Sequence, residues 1–398
     1  MIFLHMKACS SFNISSLLFR FTLLVLPFFL SAITVHSKKR VDYTLLPKEI
    51  KSGPQGKFHV QGIAFDYSRN CIYMSFTTEL LKLDFNGNLL ASVKGITGHL
   101  GCLALHPKSR NLYASLEYKH DVIGSGIQKE LGGVQNDKQS AFYVAIFDTE
   151  KMDRIGMDAS EVMTTIYIKE AVDDYMAKVQ QEDRVVEHRY GCSGIDGLAF
   201  APKVGKKRGL YYLYVAYGIY SDEERSDNDY QVLLCFDVRK WKRISLPLQS
   251  NSLHKIGPME PNAKFFVRTG NTTWGIQNLT YDSHNRALLA AVYAGHKKEW
   301  PNYTLFAIDM ASTAKYQKLV GVTPLTMAEV LPLKPIGDYH EQTGIRGWNF
   351  PNGATGLCSL GKGYYYISHN AREKESLRES SAAVLYKWNG NEPFERVE

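Results

Sequence analysis

The sequence predicts an all-β fold, a five-bladed β-propeller with a short helical insertion between blades 2 and 3. Three observations carry that expectation. First, one short pattern opens an apolar segment five times: HVQGIAFD (59–66), HLGCLALH (99–106), GIDGLAFA (194–201), GIQNLTYD (275–282) and GATGLCSL (353–360). Second, each copy is followed by a segment rich in Tyr and small residues: CIYMSFTT (71–78), LYASLEY (112–118), LYYLYVAYG (210–218), ALLAAVYAG (287–295) and GYYYISHN (363–370). Third, another apolar run then ends near an acid or a Trp: LLKLDFNG (80–87), FYVAIFD (142–148), YQVLLCFD (230–237), TLFAID (304–309) and VLYKWNG (384–390). Period-2 alternation, aromatic and β-branched enrichment and Gly/Asn/Asp turns make all of these strands. A three-stranded meander cannot bury both its faces alone, and stacking copies around an axis solves that problem. The intervals between Gly62, Cys102, Gly197, Asn278 and Gly356 are uneven, so a degenerate sixth blade has room in the longer ones.

Along the chain, residues 1–37 read as a signal peptide. A basic start with Lys7 and Arg20 precedes FTLLVLPFFLSAITV (21–35), an apolar run too short and Pro-interrupted for a membrane span. Residues 38–58 form an N-terminal segment in which VDYTLLP (41–47) is a candidate strand for closing the ring, and 59–398 is the propeller domain. Fourth strands are expected at NLLASVKG (88–95), TTIYIK (164–169) and KFFVRTG (264–270). VIGSGIQKELGGVQNDKQS (122–140) reads as a glycine-rich loop in blade 2. IKEAVDDYMAKVQQ (168–181), with Val172, Tyr175, Met176 and Val179 at helical spacing, reads as an amphipathic helix on the rim.

The 398 residues are 44% hydrophobic, enough for a sizeable core. Of 47 Lys and Arg, Lys7 and Arg20 fall in the signal segment, leaving 45 against 40 Asp and Glu. A body this close to neutral argues against nucleic acid as a partner. After Cys9, the remaining cysteines are Cys71, Cys102, Cys192, Cys235 and Cys358, mostly inside apolar strands. That placement fits buried thiols, with one bridge through Cys192 left open.

Antiparallel neighbours return to the side they came from, so the starts of the inner strands share one face with the loops between second and third strands. Gln61, Asp196, Gln277 and Thr355 hold one equivalent position in four blades and can face the axis. Two readings stay open: a water-filled tunnel of satisfied amides, or a ligand or Ca²⁺ on the axis with Asp196 the column's one carboxylate. His59, His99, His120, His296 and His369 fall on the same face, where imidazoles serve proton transfer. Tyr118, Tyr217, Tyr220, Tyr293, Trp274 and Trp348 lie near loop ends, where rings stack on sugars or pack blade against blade. Arg346 and Arg372 offer charge for a ligand carboxylate. The loop SDEERSDND (221–229) holds Asp222, Glu223, Glu224, Asp227 and Asp229 at a spacing unlike an EF-hand. No GxSxG elbow, P-loop, HExxH or CxxC pair occurs. Three N-x-S/T triplets lie at Asn271, Asn278 and Asn302, the second in a predicted inner strand.

The phrases GIAFD, LYASLEY and LLKLDFNGNLL resemble exported propeller families, including the lactonase and gluconolactonase-like group and the NHL-type repeats. That resemblance spans about residues 59–398. It implies an axial divalent ion held by acidic and amide side chains, for which Asp196, Gln61 and Gln277 are the counterparts here.

The expected function is an exported, upper-face binder of a small polar or carbohydrate-like ligand, without a stable membrane span. In the hydrolytic version, aided by Ca²⁺ or another divalent cation, Asp196 is metal or base carboxylate, His59 and His99 orient or move protons, and Gln61 and Gln277 position substrate. Thr355, Tyr118, Tyr217, His369 and Arg346 are its ligand-binding residues. A lyase version uses His and Tyr on a uronate neutralised by Arg. The opposing class is a non-catalytic glycan-binding or protein-interaction propeller.

Overall fold

Small residues sit in the middle of the innermost strands because those strands converge there. A Cβ added to Gly197 would lie 2.7 Å from Ile276 Cγ2, and one on Gly62 would lie 2.7 Å from the Leu103 amide nitrogen. The recurring glycine is therefore the mark of blades packed tightly around an axis. The computed structural model describes residues 41–132, 140–181, 184–390 and 392–398. The 1–37 signal reading lies outside these residues.

Five sheets stand around that axis. From the inside outward, blade 1 is Gly62–Asp66, Cys71–Phe76, Glu79–Asp84 and Leu89–Lys94, and blade 2 is His99–Leu105, Leu112–Tyr118, Ala141–Phe147 and Met163–Tyr167. Blade 3 is Cys192–Pro202, Tyr211–Ile219, Tyr230–Phe236 and Ala263–Arg268. Blade 4 is Thr273–Asp282, Ala287–Tyr293 and Leu305–Asp309, with isolated bridges from Leu305 to Trp348 and from Ile308 to Leu333 at its outer edge. Blade 5 is Leu357–Gly361, Tyr364–Arg372 and Glu379–Trp388. The inner strands touch in a complete cycle, blade 5 returning to blade 1. Five blades account for the described residues, and the longer intervals hold insertions in place of a sixth.

The ring closes with Glu49–Lys51, which pairs antiparallel with the third strand of blade 5, Ile50 opposite Ala383. The closing strand thus lies just after VDYTLLP, where Tyr43–Leu45 instead forms a 3₁₀ turn capped by Asp42. Apolar clusters fill the spaces between blades, and Tyr73, Tyr143, Tyr214, Tyr365 and Tyr366 are fully buried within them. These tyrosines are strand residues packing sheet on sheet.

Both insertions differ from expectation in detail. Val122–Glu130 is an α-helix and not a loop, started by the Asp121 side chain accepting from the Gly124 amide at 2.9 Å. Gly124 and Gly126 each cost about 1 kcal/mol of helix propensity relative to Ala, and packing of Ile123 and Ile127 outweighs that cost. The 168–181 segment is helical only over Lys169–Met176. Lys178–Gln181 then pairs with Arg184–Glu187 as a hairpin. Lys264 ties that helix to blade 3 through Glu170 at 2.7 Å and through Asp174.

All five described cysteines are free thiols, so no bridge involves Cys192. Asn271 and Asn278 are 1% exposed and present no surface for a glycan.

Candidate functional site

The axial side chains are aimed by irregularities in the inner strands. Pairing to the second strand breaks between Leu100 and Leu103, between Ile195 and Leu198, and between Ile276 and Asn278. Gly101, Asp196 and Gln277 fall inside these breaks. A bulge turns its extra residue away from the regular pleat, and here it turns Asp196 and Gln277 onto the axis. Gln277 Nε2 donates to Asp196 Oδ2 at 3.1 Å and to the Trp274 carbonyl at 2.8 Å.

Acidic and basic side chains from blade 2 gather around Asp196. His99 faces Glu117 across the first strand pair, its Nδ1 3.5 Å from Glu117 Oε2. Glu117 Oε1 accepts the Ile195 amide at 2.7 Å, which carries the carboxylate across to blade 3. Gly194 is required beside it, since a Cβ there would lie 1.9 Å from Glu117 Oε1. One nitrogen of His99 and one oxygen each of Glu117 and Asp196 all lie within 4.8 Å of one another. A single ion with bonds of about 2.0–2.5 Å can bridge such a set.

Lys119 completes the cluster. Its Nζ is 2.8 Å from Glu117 Oε2 and 3.8 Å from Asp121 Oδ2, and the residue is 4% exposed. The contact to Glu117 is an ion pair off the hydrogen-bonding direction. Burial works against the Lys119 charge, but Glu117, Asp196 and Asp121 outweigh it and hold the ammonium above its ordinary pKa. Asp196 goes the other way: burial first, then the Glu117 charge, raise its carboxyl well above the ordinary range. Lys119 and the Gln277 hydrogen bond offset only part of that rise. His59, 3.2 Å from Gln61 Nε2, is held below the usual imidazole value by burial and then by His99.

His59, Gln61, His99, Lys119, Asp196 and Gln277 line a cavity of about 320 Å³ at one end of the axis, together with Phe58, Ile123, Ile127, Trp274 and Tyr293, while Glu117 lies outside the lining in contact with His99 and Lys119. Of the residues expected at a site, Asp196, His59, His99, Gln61 and Gln277 line it together. The other five are placed elsewhere. Tyr118 alternates with Glu117 along its strand and points away, its hydroxyl 2.9 Å from Thr97 Oγ1. Tyr217 is likewise buried, donating to Asp174 at 2.9 Å. Thr355 is turned to Ser368 at 2.8 Å, and His369 lies 2.9 Å from the Tyr386 hydroxyl in blade 5. Arg346 stacks on Tyr339 in a hairpin and donates to the Gly337 carbonyl, so it supplies no charge to the axis. His120 and His296 are also outside the cavity lining.

Glu117 and Lys119 carry no motif in the sequence. Their signal was a strand of alternating pattern, LYASLEYK, ending in alternate charged residues on the axial side.

The acidic loop is not a wall of this site. Asp227 is chelated by Arg225 at 2.8 and 2.9 Å, and Lys297 donates to Asp229 at 2.6 Å, to Asn228 at 2.9 Å and to the Arg225 carbonyl. Two buried cations from the protein therefore stand where a metal would have been needed.

Fold and site together define a five-bladed β-propeller with a polar axial cavity. No family model matches the chain, and no curated protein matches it. Similar solved structures include the calcium-binding protein regucalcin from Agrobacterium tumefaciens, at 12% identity over 88% of this chain and 98% of that one, with TM-score 0.32. A luciferin-regenerating enzyme is 11% identical over 87% and 98%, with TM-score 0.34. The calcium structure of a Trichoderma reesei carbohydrate-active enzyme is 9% identical over 81% and 80%, with TM-score 0.37. The blade count and the site described above rest on this chain's own strand pairing and contacts.

Proposed function

We propose that the axial cavity hydrolyses a lactone or ester with the help of a divalent cation held by His99, Glu117 and Asp196. The observation that carries this reading is the convergence of one imidazole and two carboxylates within 4.8 Å, two of which, His99 and Asp196, line a cavity. A mixed nitrogen and oxygen set of three favours Zn²⁺ or Mn²⁺ over Ca²⁺, which takes six to eight oxygens. When bound, the cation supplies Lewis-acid polarisation of the substrate carbonyl.

The chain's own residues supply the rest. His59, neutral near pH 7, takes a proton from the attacking water. The water oxygen bonds the acyl carbon, the acyl C–O bond breaks, and the proton passes from His59 to the departing alkoxide, giving a hydroxy acid from a lactone. Gln277 holds Asp196 in place, and Gln61 orients His59. Export, read from residues 1–37, belongs to the same proposal.

Lys119 favours a second reading. Its ion pair with Glu117 already neutralises one carboxylate, and burial, then the Glu117 charge, work against ionising Asp196. The cavity would then be a cation-free binding site without turnover.

Calorimetry on metal-stripped protein separates the two. Titration with Zn²⁺, Mn²⁺ and Ca²⁺ in two buffers of different ionisation enthalpy should show binding with proton release, because Asp196 must ionise to ligate. Lactone and ester turnover should follow the cation, and Asp196→Asn should abolish both. An absence of cation binding would favour the second reading.

A further inference from the structure

The two ends of the axial cavity differ in chemistry. Its charged and amide side chains, Lys119, Asp196, Gln61 and Gln277, come from the blades and none from the helix over them. The helix Val122–Glu130 forms one wall with Ile123 and Ile127, which at i and i+4 share a face. Phe58, Trp274 and Tyr293 supply further apolar lining, and Val122, 89% exposed, belongs to the lining as well.

The helix is fixed in place and not merely draped over the opening. A Cβ on Gly124 would lie 1.9 Å from the Lys119 carbonyl, so the first turn sits directly on the strand end that bears Lys119. Gln128 donates to the Thr97 carbonyl at 3.1 Å, and Lys57 pairs with Glu130 at 2.9 Å. The apolar wall therefore has a set position above the charged floor.

We infer that the substrate is amphiphilic, carrying a short alkyl chain or a single aryl ring beside its reacting carbonyl, with that group seated against Ile123, Ile127 and Trp274. This deepens the hydrolytic reading and rests on it. A sugar lactone would set hydroxyls against Ile123 and Ile127, on a helix that among the described residues lends the cavity no polar side chain, and each unpaired hydroxyl is costly. An apolar group gains from the same surface. A cavity of about 320 Å³ is at the small end for ligand sites. The enclosed group is thus a ring or a short chain, and a longer chain would run past Val122 into solvent.

The test uses the full exported chain and a series of γ-lactams, which resist hydrolysis, bearing alkyl groups from methyl to octyl. Binding is read by titration calorimetry and turnover by the matching γ-lactones. In the wild type, lactam affinity should rise about fourfold per methylene, the equivalent of ~0.8 kcal/mol, and then level off as the cavity fills. Ile123→Ser, at a half-buried position, should flatten the rise. Val122→Ser, at an exposed position that leaves folding alone, should remove only its last increments. Affinity independent of chain length, or a rise unchanged in Ile123→Ser protein of wild-type thermal midpoint, overturns the inference. A rising lactam series without lactone turnover upholds the ligand class and sinks the hydrolytic reading. Turnover of unsubstituted lactones with no chain-length preference does the reverse.

Discussion

Gln277 spends both amide hydrogens on fixed partners, Asp196 Oδ2 at 3.1 Å and the Trp274 carbonyl at 2.8 Å. One side chain thereby locks the central carboxyl of blade 3 to the bulge of blade 4. Gln277→Leu removes the donor and leaves Asp196 harder to ionise. Losing such a supporting partner weakens metal affinity about 10–100-fold, and calorimetric titration of the variant with Mn²⁺ or Zn²⁺ should show that loss with folding intact.

Asp196 also sets a pH dependence of stability. Its folded pKa is raised, by burial and then by Glu117, so its contribution is full below the ordinary Asp range near 3.8 and is lost as pH rises toward the raised value. Asp196→Asn removes the charge and should flatten that slope. Without added cation, the variant should melt higher than wild type at pH 7, by about 1–2 °C for each ~1 kcal/mol relieved. Thermal melts from pH 3 to 8 check this, and a steeper slope in the variant would contradict it.

Lys119 and Glu117 are a buried pair, 4% and 2% exposed. Removing one partner strands the other charge and costs about 3–5 kcal/mol. Lys119→Met and Glu117→Leu should each be destabilised on that scale in urea unfolding. The double variant should lose much less than the sum, because neither charge of that pair remains.

The acidic loop makes the same test at another place. Lys297→Met strands Asp229, whose carboxyl burial already raises despite Lys297. The variant should lose about 3–5 kcal/mol, increasingly as pH rises above the ordinary Asp range. Added Ca²⁺ should not restore wild-type stability; rescue by Ca²⁺ would mean that the loop binds metal.

His59 fixes the acid side of any activity. Burial, then His99, hold its pKa below 6.5, so the neutral base persists into mildly acid solution and activity should fall only below that value. His59→Gln should lose about 10²-fold or more in kcat and lose the acid limb with it.

Much of the fold was legible because blade packing repeats. GIDG and GIQN carry small residues where inner strands converge, and Asp196, Gln61 and Gln277 follow from their place beside them. The bulges that turn Asp196 and Gln277 inward left no mark in composition. Tyr118 and Tyr217 were misplaced because they were read as loop-end rings, whereas strand alternation sends Glu117 to the axis and Tyr118 away. The geometry of the meander places Glu117 on the shared face, but Lys119, two residues on, was overlooked for the same reason. The helix at 122 was hidden by its glycines, which the sequence shows as loop formers and the packing against Lys119 explains.

The clasp at Glu49–Lys51 has a consequence for the order in which the molecule is made. Ile50, 1% exposed, reaches its place beside Ala383 only after every blade has been synthesised. The first strand of the ring thus waits for the last, a contact of the greatest sequence separation and hence of slow formation. Until it arrives, the Ala382–Val384 stretch of the outer edge of Glu379–Trp388 is an open row of backbone donors and acceptors, beside the stretch Tyr386–Trp388 that pairs with Phe394–Arg396. Glu49–Lys51 of a neighbouring molecule fits that edge equally well, so strand exchange between chains is the characteristic error of this closure.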